Sequence, residues 1–230
     1  MSSEAGITVV NGEAVRAGRG MLIIVSAPSG GGKGTLIRRA LQKVNNLGYS
    51  VSWTTRSPRP GEQNGRDYYF VSPEAFEEMR AHDGFLEWAR VHGNFYGTSR
   101  AEVERVMAEG RDVVLEIDVQ GAALVREHVK NTVSVFILPP SFDVLRARLA
   151  GRKSEVPSDL TLRLLNSRSE VERYRDFDYV VLNDEADRAA KELVSIVYAE
   201  RARRERQTAL VRRVLETFPE SSSETKQICI

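Results

Sequence analysis

Hydrophobic positions along this chain follow two alternating patterns. Residues 21–27, MLIIVSA, are an unbroken apolar run with branched side chains, the pattern of a parallel strand buried on both faces. The runs DVVLEID (112–118), VSVFIL (133–138, stopped by Pro139 and Pro140) and YVVLN (179–183) repeat it. The segments between them are spaced as helices. These are KGTLIRRALQKV, the stretch after residue 118, SFDVLRARLAGR, LTLRLLNSRSEVERYRDF, and a long charged helix from Asp187 to Glu216. KSEVPSD is a polar break within the series. Strands alternating with helices predict an α/β fold, a mostly parallel sheet with helices on both faces.

Residues 51–98 depart from this alternation. VSWTTRSPRPGEQNGRDYYFVS sets Pro58, Pro60, Gly61 and Gly65 between β-rich pieces. It predicts short antiparallel strands with a hairpin-like turn at Asn64 and Gly65. Ser72 before Pro73 marks a helix start, and Gly84 its stop. Ser99 and Glu102 predict a capping box that opens a helix to Met107, closed by Gly110. This piece is an insertion between the first and second core strands. The expected boundaries are a mobile tail (1–19), a core (20–50 and 99–200), the small mixed α/β insertion (51–98), a lid (149–165), and a C-terminal helical extension with a frayed end (201–230).

Composition narrows the class by exclusion. The chain has 230 residues, 41% hydrophobic and 28% charged, with a net charge of +1. That fits one large domain or two small ones, without a bulk charge drawing it to nucleic acid. A single cysteine, Cys229, excludes a disulfide framework and a cysteine-rich zinc site, and points to a reducing, cytoplasmic setting. The first twenty residues lack the order of a signal peptide. No apolar stretch approaches the ~20 residues that span a bilayer, so no membrane partner is expected. His82, His92 and His128 fit no motif, and Trp53 and Trp88 are packing residues.

Candidate chemistry begins at APSGGGKGTL, residues 27–36. It follows a buried strand, opens a helix, and nearly matches the phosphate-cradling pattern G-x-x-x-x-G-K-[ST]. Gly30, Gly31 and Gly32 let backbone N–H groups approach phosphate oxygens, and Lys33 supplies a point charge for the β- and γ-phosphates. Ala27 replaces the first glycine at little cost. Gly34 replaces the hydroxyl residue that would hold magnesium. Thr35 is adjacent, but one helical step turns a side chain by about 100°. Phosphates and water can hold the ion instead. The ATP-binding set is therefore Ala27, Pro28, Ser29, Gly30, Gly31, Gly32, Lys33, Gly34 and Thr35, on a P-loop NTPase-type sheet.

The insertion adds Ser52, Arg56, Arg59, Tyr68 and Tyr69, and FLEWARVHGNFYGTS adds Glu87, Tyr96 and Thr98. Taken singly, these read as surface charges and rim aromatics. Together, SAPSGGGKGTL, TTRSPRPGE-x-x-G-x-DYYFV, FLEWA-x-V-x-GN-x-YGTS, EIDVQGA, FILPPS, RLAGR and VLND resemble the guanylate kinases, in family order, from residue 21 to residue 200.

The resemblance implies transfer of the γ-phosphate of ATP to GMP. Arg56, Arg59 and Tyr68 would clamp the GMP phosphate with help from Tyr96. Ser52, Glu87, Thr98 and Asp118 would face guanine. Glu87 suits the task, because guanine offers N1–H and its 2-amino group side by side and adenine has no such donor pair. Arg148, Arg152 and Arg163 would be lid arginines, and together with Lys33 and Arg56 they form the implied catalytic set. Asn183 would lie near adenine. Mg²⁺ would enter with ATP, with Thr35 and Asp118 as candidate ligands. Glu116 stands where the family more often has Asp. Lys153 and Pro157 depart from the usual lid pattern. Use of dGMP and a homo-oligomeric state are left open. The rival reading is a guanylate-kinase-like module that binds protein without catalysis.

Overall fold

The apolar runs become the middle of a parallel sheet. The computed structural model describes residues 9–10, 13–14, 19–91, 93–151 and 157–218. In chain order the elements are β1 (Val9–Val10), β2 (Glu13–Ala14), β3 (Leu22–Ser26), α1 (Lys33–Leu41), β4 (Leu47–Tyr49), β5 (Trp53–Thr54), β6 (Tyr69–Phe70), α2 (Pro73–Ala81), β7 (Phe85–Val91) and β8 (Asn94–Ser99). They continue with α3 (Arg100–Ala108), β9 (Asp112–Glu116), α4 (Val119–His128), β10 (Val133–Leu138), α5 (Phe142–Ala150), α6 (Pro157–Glu172), β11 (Tyr179–Leu182), α7 (Ala186–Ala202) and α8 (Thr208–Leu215).

The main sheet has the order β11-β10-β3-β9-β4, and every pairing in it is parallel. Every residue of β3 is buried, and its side chains divide between two cores. Ile23 and Val25 pack with Leu36, Ile37 and Ala40 of α1 and with Ala190, Leu193 and Val197 of α7. Leu22 and Ile24 pack on the other face with Val103 and Val106 of α3 and with Ala122 and Val125 of α4. Alternation along a strand puts successive side chains on opposite faces, so a strand covered twice must be apolar throughout. The carboxyl ends of β3 and β9, where ligands bind in such sheets, deliver residues 27–32 and 116–118 to one place.

The second sheet has the order β6-β5-β8-β7. Here β5 pairs with β6 in parallel, and β8 is antiparallel to both β5 and β7. The hairpin expected at Asn64 and Gly65 is therefore corrected. Residues 55–68 cross over to a parallel partner, and the hairpin is β7–β8, with Gly93 at φ 83° in its turn.

Other expectations also shift. Leu47–Tyr49 is a core strand that the apolar pattern did not reveal, so the insertion lies between the second and third core strands. Ser99 does cap α3, accepting from the Glu102 N–H, but the Glu102 carboxylate bonds the backbone of Val51. The break around KSEVPSD is shorter than expected, because α6 starts at Pro157, a residue suited to a first helical turn. The long C-terminal helix breaks at Arg203, whose backbone is extended (φ −55°, ψ 134°). There Gln207 Nε2 donates to the Arg201 carbonyl. Of the expected tail, Val9–Val10 pairs antiparallel with Glu13–Ala14. Arg19 is also described, and the remaining tail residues, like Cys229, lie outside the described set.

The end of α7 is anchored to the sheet by a buried ion pair. Arg201 Nε donates to Asp112 Oδ2 at 2.8 Å, Asp112 Oδ1 accepts the Met21 N–H at 2.8 Å, and Arg201 Nη2 reaches the Asn45 carbonyl. Removing one charge strands the other in the interior. Asp112→Asn should lower the unfolding free energy in urea by ~3–5 kcal/mol, and adding Arg201→Met should recover part of that loss.

Candidate active site

The phosphate loop is built from its backbone outward. Gly32, directly before α1, has φ 92°, and a Cβ there would fall 2.4 Å from Asn183 Nδ2. Both the left-handed backbone and the close approach require glycine. Asn183 is buried at the end of β11 and donates from Nδ2 to the Gly31 carbonyl at 2.7 Å. Its backbone carbonyl accepts from Arg148 Nη2 at 2.9 Å. Gly32 offers no capping side chain, so the N-terminus of α1 is open to an anion. Lys33 Nζ reaches back toward the Ala27 carbonyl at 3.5 Å. The Ser29 N–H donates to Glu170 Oε2 at 2.9 Å, tying the loop to α6.

Gly34 has a specific neighbour. A Cβ on it would lie 3.2 and 3.3 Å from the two carboxylate oxygens of Glu116. The Tyr49 hydroxyl donates to Glu116 Oε2 at 3.4 Å. Burial, reinforced by the Glu116 charge, pushes that hydroxyl well above its ordinary range.

A cleft of about 200 Å³ opens beside the loop. Ser29, Lys33, Ser52, Arg56, Arg59, Tyr68, Glu87, Tyr96, Glu116, Asp118 and Arg163 all line it. A larger cleft of about 830 Å³ shares Ser29, Lys33 and Asp118, adds Ala27, and runs between α4 and α6. Loop and insertion therefore meet at one cavity.

On the insertion side, the register shifts between Phe85 and Glu87, a bulge that re-aims the side chain after it. Glu87 is buried, and its Oε1 accepts from Thr98 Oγ1 at 2.6 Å. A Cβ at Gly121 would lie 2.9 Å from Glu87 Oε2, so that glycine leaves room for the carboxylate. Burial pushes the Glu87 carboxyl up to about 7, the Thr98 bond opposes this, and the Asp118 charge adds to it. Asp118 caps α4, its Oδ1 accepting from the Gln120 and Gly121 N–H groups. The Arg56 guanidinium lies over the rings of Tyr68 and Phe70, 5.3 and 5.6 Å from their centroids. Tyr68 meets Tyr96 edge-on, and burial holds the Tyr68 hydroxyl up at about 12.

Most expected site residues are thus brought together. Thr98 lies beneath the cleft rather than on it, and Pro28, Gly30, Gly31, Gly32 and Gly34 form the loop and the start of α1. Arg148 and Asn183 brace the loop from behind. Thr35 is exposed and lines neither cleft. Arg152 lies outside the described residues. Two acids escaped the sequence reading. Glu62 bonds Arg56, and its only signal is its place in the PRPGE turn. Glu170 bonds the loop and carries no signal in the sequence.

A glycine-rich loop between a central parallel strand and a helix, with a lysine on the helix's first position, defines a P-loop nucleotide-binding fold. A family model described as guanylate kinase matches residues 19–200. A protein named guanylate kinase from Rhizobium meliloti is 49% identical over 193 residues, 84% of this chain and 88% of that one. One from Neisseria gonorrhoeae is 50% identical over 198 residues, 86% and 97% of the two chains. The crystal structure of guanylate kinase from Anaplasma phagocytophilum is 32% identical, with a TM-score of 0.74 over 90% of this chain and 99% of that one. The chain belongs to the guanylate kinase family.

The raised Glu87 carboxyl links stability to pH. Its proton is held from 4.5 up to about 7, so between those values the folded chain binds more protons than the unfolded one. Stability from this group is full below 4.5 and is lost as pH rises through 7. Urea unfolding of the ligand-free protein from pH 5 to pH 8 should show this decline, on the order of 3 kcal/mol, and Glu87→Gln should flatten it.

Proposed function

We propose that the chain transfers the γ-phosphoryl group of ATP to GMP, giving ADP and GDP, with the cleft residues in the following roles. The observation that carries this reading is the convergence of Lys33 from the loop with Arg56, Arg59, Tyr68, Glu87 and Tyr96 from the insertion on one cavity. The reading divides the chain into a core, an acceptor-binding insertion (51–98) and a lid (149–165).

The loop N–H groups and Lys33 bind the ATP phosphates. Arg56, Arg59, Tyr68 and Tyr96 hold the GMP phosphate, and Glu87, held from beneath by Thr98, accepts the donors of guanine together with Ser52. AMP would leave Glu87 desolvated and unpaired, which is the basis for its rejection. An oxygen of the GMP phosphate attacks the γ-phosphorus as the bond to the β–γ bridging oxygen breaks. That oxygen is already anionic, because the second pKa of a phosphate monoester is ~6, so no general base is required. Repulsion between the two anions is the obstacle. Lys33, Arg56 and Arg163 offset it within the cleft, and Arg148 from behind the loop.

Mg²⁺ entering with ATP would add charge neutralisation on the phosphates. Magnesium keeps several waters and binds readily through phosphates, so it needs few protein ligands. The hard carboxylate oxygens of Glu116 and Asp118, both on the cleft, would hold its water shell. The non-catalytic module has no observation in its favour. No helix among the described residues is long and apolar enough to cross a membrane. The cytoplasmic setting rests on the lone cysteine.

A coupled ADP-release assay with ATP and Mg²⁺ should give strong turnover with GMP and little with AMP, UMP or CMP, with dGMP as a further acceptor to compare. Equal turnover of AMP and GMP would remove Glu87 from its role, and none with any acceptor in a folded sample would refute the reading. Glu87→Gln should lower kcat/KM for GMP by roughly a hundredfold. Because guanine requires the ionised carboxylate, GMP binding should release a proton below pH 7, seen as buffer-dependent heats in calorimetry and lost in that variant.

A further inference from the structure

Arg56 does not stand alone at the edge of the cleft. Its Nη1 and Nη2 donate to Glu62 Oε2 and Oε1, both at 3.0 Å, a fork-to-fork pairing. Nη1 also donates to the Ser57 carbonyl at 2.7 Å. Glu62 Oε2 takes the Arg59 N–H at 2.7 Å, and the Glu62 N–H donates to the Arg59 carbonyl at 3.1 Å. One carboxylate thus ties together both arginines expected to hold the acceptor's phosphate. Glu62 itself is not on the cleft wall.

We infer that Glu62 is a positioning residue for the acceptor phosphate: it holds the Nη1–Nη2 edge of Arg56 and the backbone of Arg59, so that the other edge of Arg56 is presented to the cleft. This rests on the proposed function, in which Arg56 and Arg59 bind the phosphate of GMP. Donor arithmetic supports it. A guanidinium has five N–H donors. Two go to Glu62 and one to Ser57, which leaves Nε–H and the second hydrogen of Nη2. These lie side by side along one edge, in the spacing that grips two oxygens of a phosphate. The hydroxyl of Tyr96, a cleft residue, also bonds Arg56, so an incoming phosphate would share that edge with it. The aromatic faces of Tyr68 and Phe70 restrict the plane of the guanidinium, and Glu62 fixes its rotation within that plane. Burial raises the Glu62 carboxyl, but the bonds from Arg56 and from the Arg59 backbone outweigh it and leave the group below its ordinary range, so it stays ionised at neutral pH.

The test compares wild type, Glu62→Gln and Glu62→Asp, with GMP as substrate and guanosine, which lacks the phosphate, as competitive inhibitor. Glu62→Gln keeps the shape, loses the charge, and can turn an NH₂ toward the guanidinium. Misaiming a clamp by an ångström costs up to ~100-fold. The expected result is a ten- to hundredfold rise in the KM for GMP, with the KM for ATP and the Ki for guanosine within about twofold of wild type. Glu62→Asp, which keeps the charge but shortens the reach, should fall between the two and supplies the readout where Glu62→Gln folds poorly. An unchanged KM for GMP overturns the inference. So does a lower one, which would mean that Glu62 competes with the phosphate for Arg56. A parallel rise in the guanosine Ki also overturns it, since that marks a collapsed loop rather than a misaimed clamp. Failure of wild type to use GMP would instead overturn the proposed function itself.

Discussion

A site for phosphates has to turn its donors inward and its acceptors away, and here that constraint is met by one hydrogen bond, from Asn183 Nδ2 to the Gly31 carbonyl. The carbonyl would otherwise be free to face an anion. Asn183 is placed by β11, whose partner β10 supplies the Leu138 carbonyl for its N–H. Arg148 of α5 closes the set by donating to the Asn183 backbone carbonyl. The last core strand, α5 and the phosphate loop are thus joined through one buried residue. Gly32 is the cost of this arrangement, since any side chain there would take the space of the Asn183 side-chain amide.

Across the cleft the problem is opposite, because this half must hold negative charge against solvent. Two carboxylates do so in different ways. Glu87 is buried with one hydroxyl as partner, so it gives up its charge easily until donors arrive. Glu62 is satisfied by Arg56 and the Arg59 backbone and keeps its charge. A carboxylate short of partners discriminates, because it makes a ligand without matching donors costly to bind. A carboxylate with its partners in place gives rigidity to what it holds.

The same division decides what was legible in the sequence. The strands β3, β9 and β10 are buried almost throughout, so their apolar runs speak for themselves. β11, expected to be covered on both faces, lies at the sheet edge with Val180 and Leu182 exposed. β4 is not marked in this way. Three residues, Leu-Gly-Tyr, carry no run, and the strand exists because it pairs with β9. In β7 the acid is buried and the indole is not: Glu87 lies inside, while Trp88, expected to be a packing residue, is exposed. Function put the carboxylate inside, where polarity alone would place it at the surface. The break after Ala202 was hidden because helical spacing resumes at Thr208 within the same charged stretch, while the buried Arg201–Asp112 pair that anchors α7 joins positions far apart in the chain. Residue types in the cleft were legible as motifs. Their partners Glu62 and Glu170 were not, since a supporting carboxylate looks like any surface acid until the structure shows what it holds.

Two departures that look independent in the sequence are neighbours in space. Gly34 lacks the hydroxyl usual at the end of a phosphate loop, and Glu116 is one methylene longer than the acid usual at the end of its strand. The carboxylate of Glu116 stands 3.2 Å from where a Cβ at Gly34 would be, and Tyr49 bonds the same oxygen. A side chain at 34 would therefore have to push back a partly buried charge, while a shorter acid at 116 would withdraw its oxygens from Tyr49. Gly34 leaves the space that the Glu116 carboxylate fills, so the missing hydroxyl on α1 and the longer acid on β9 form a matched pair rather than a phosphate loop missing a part.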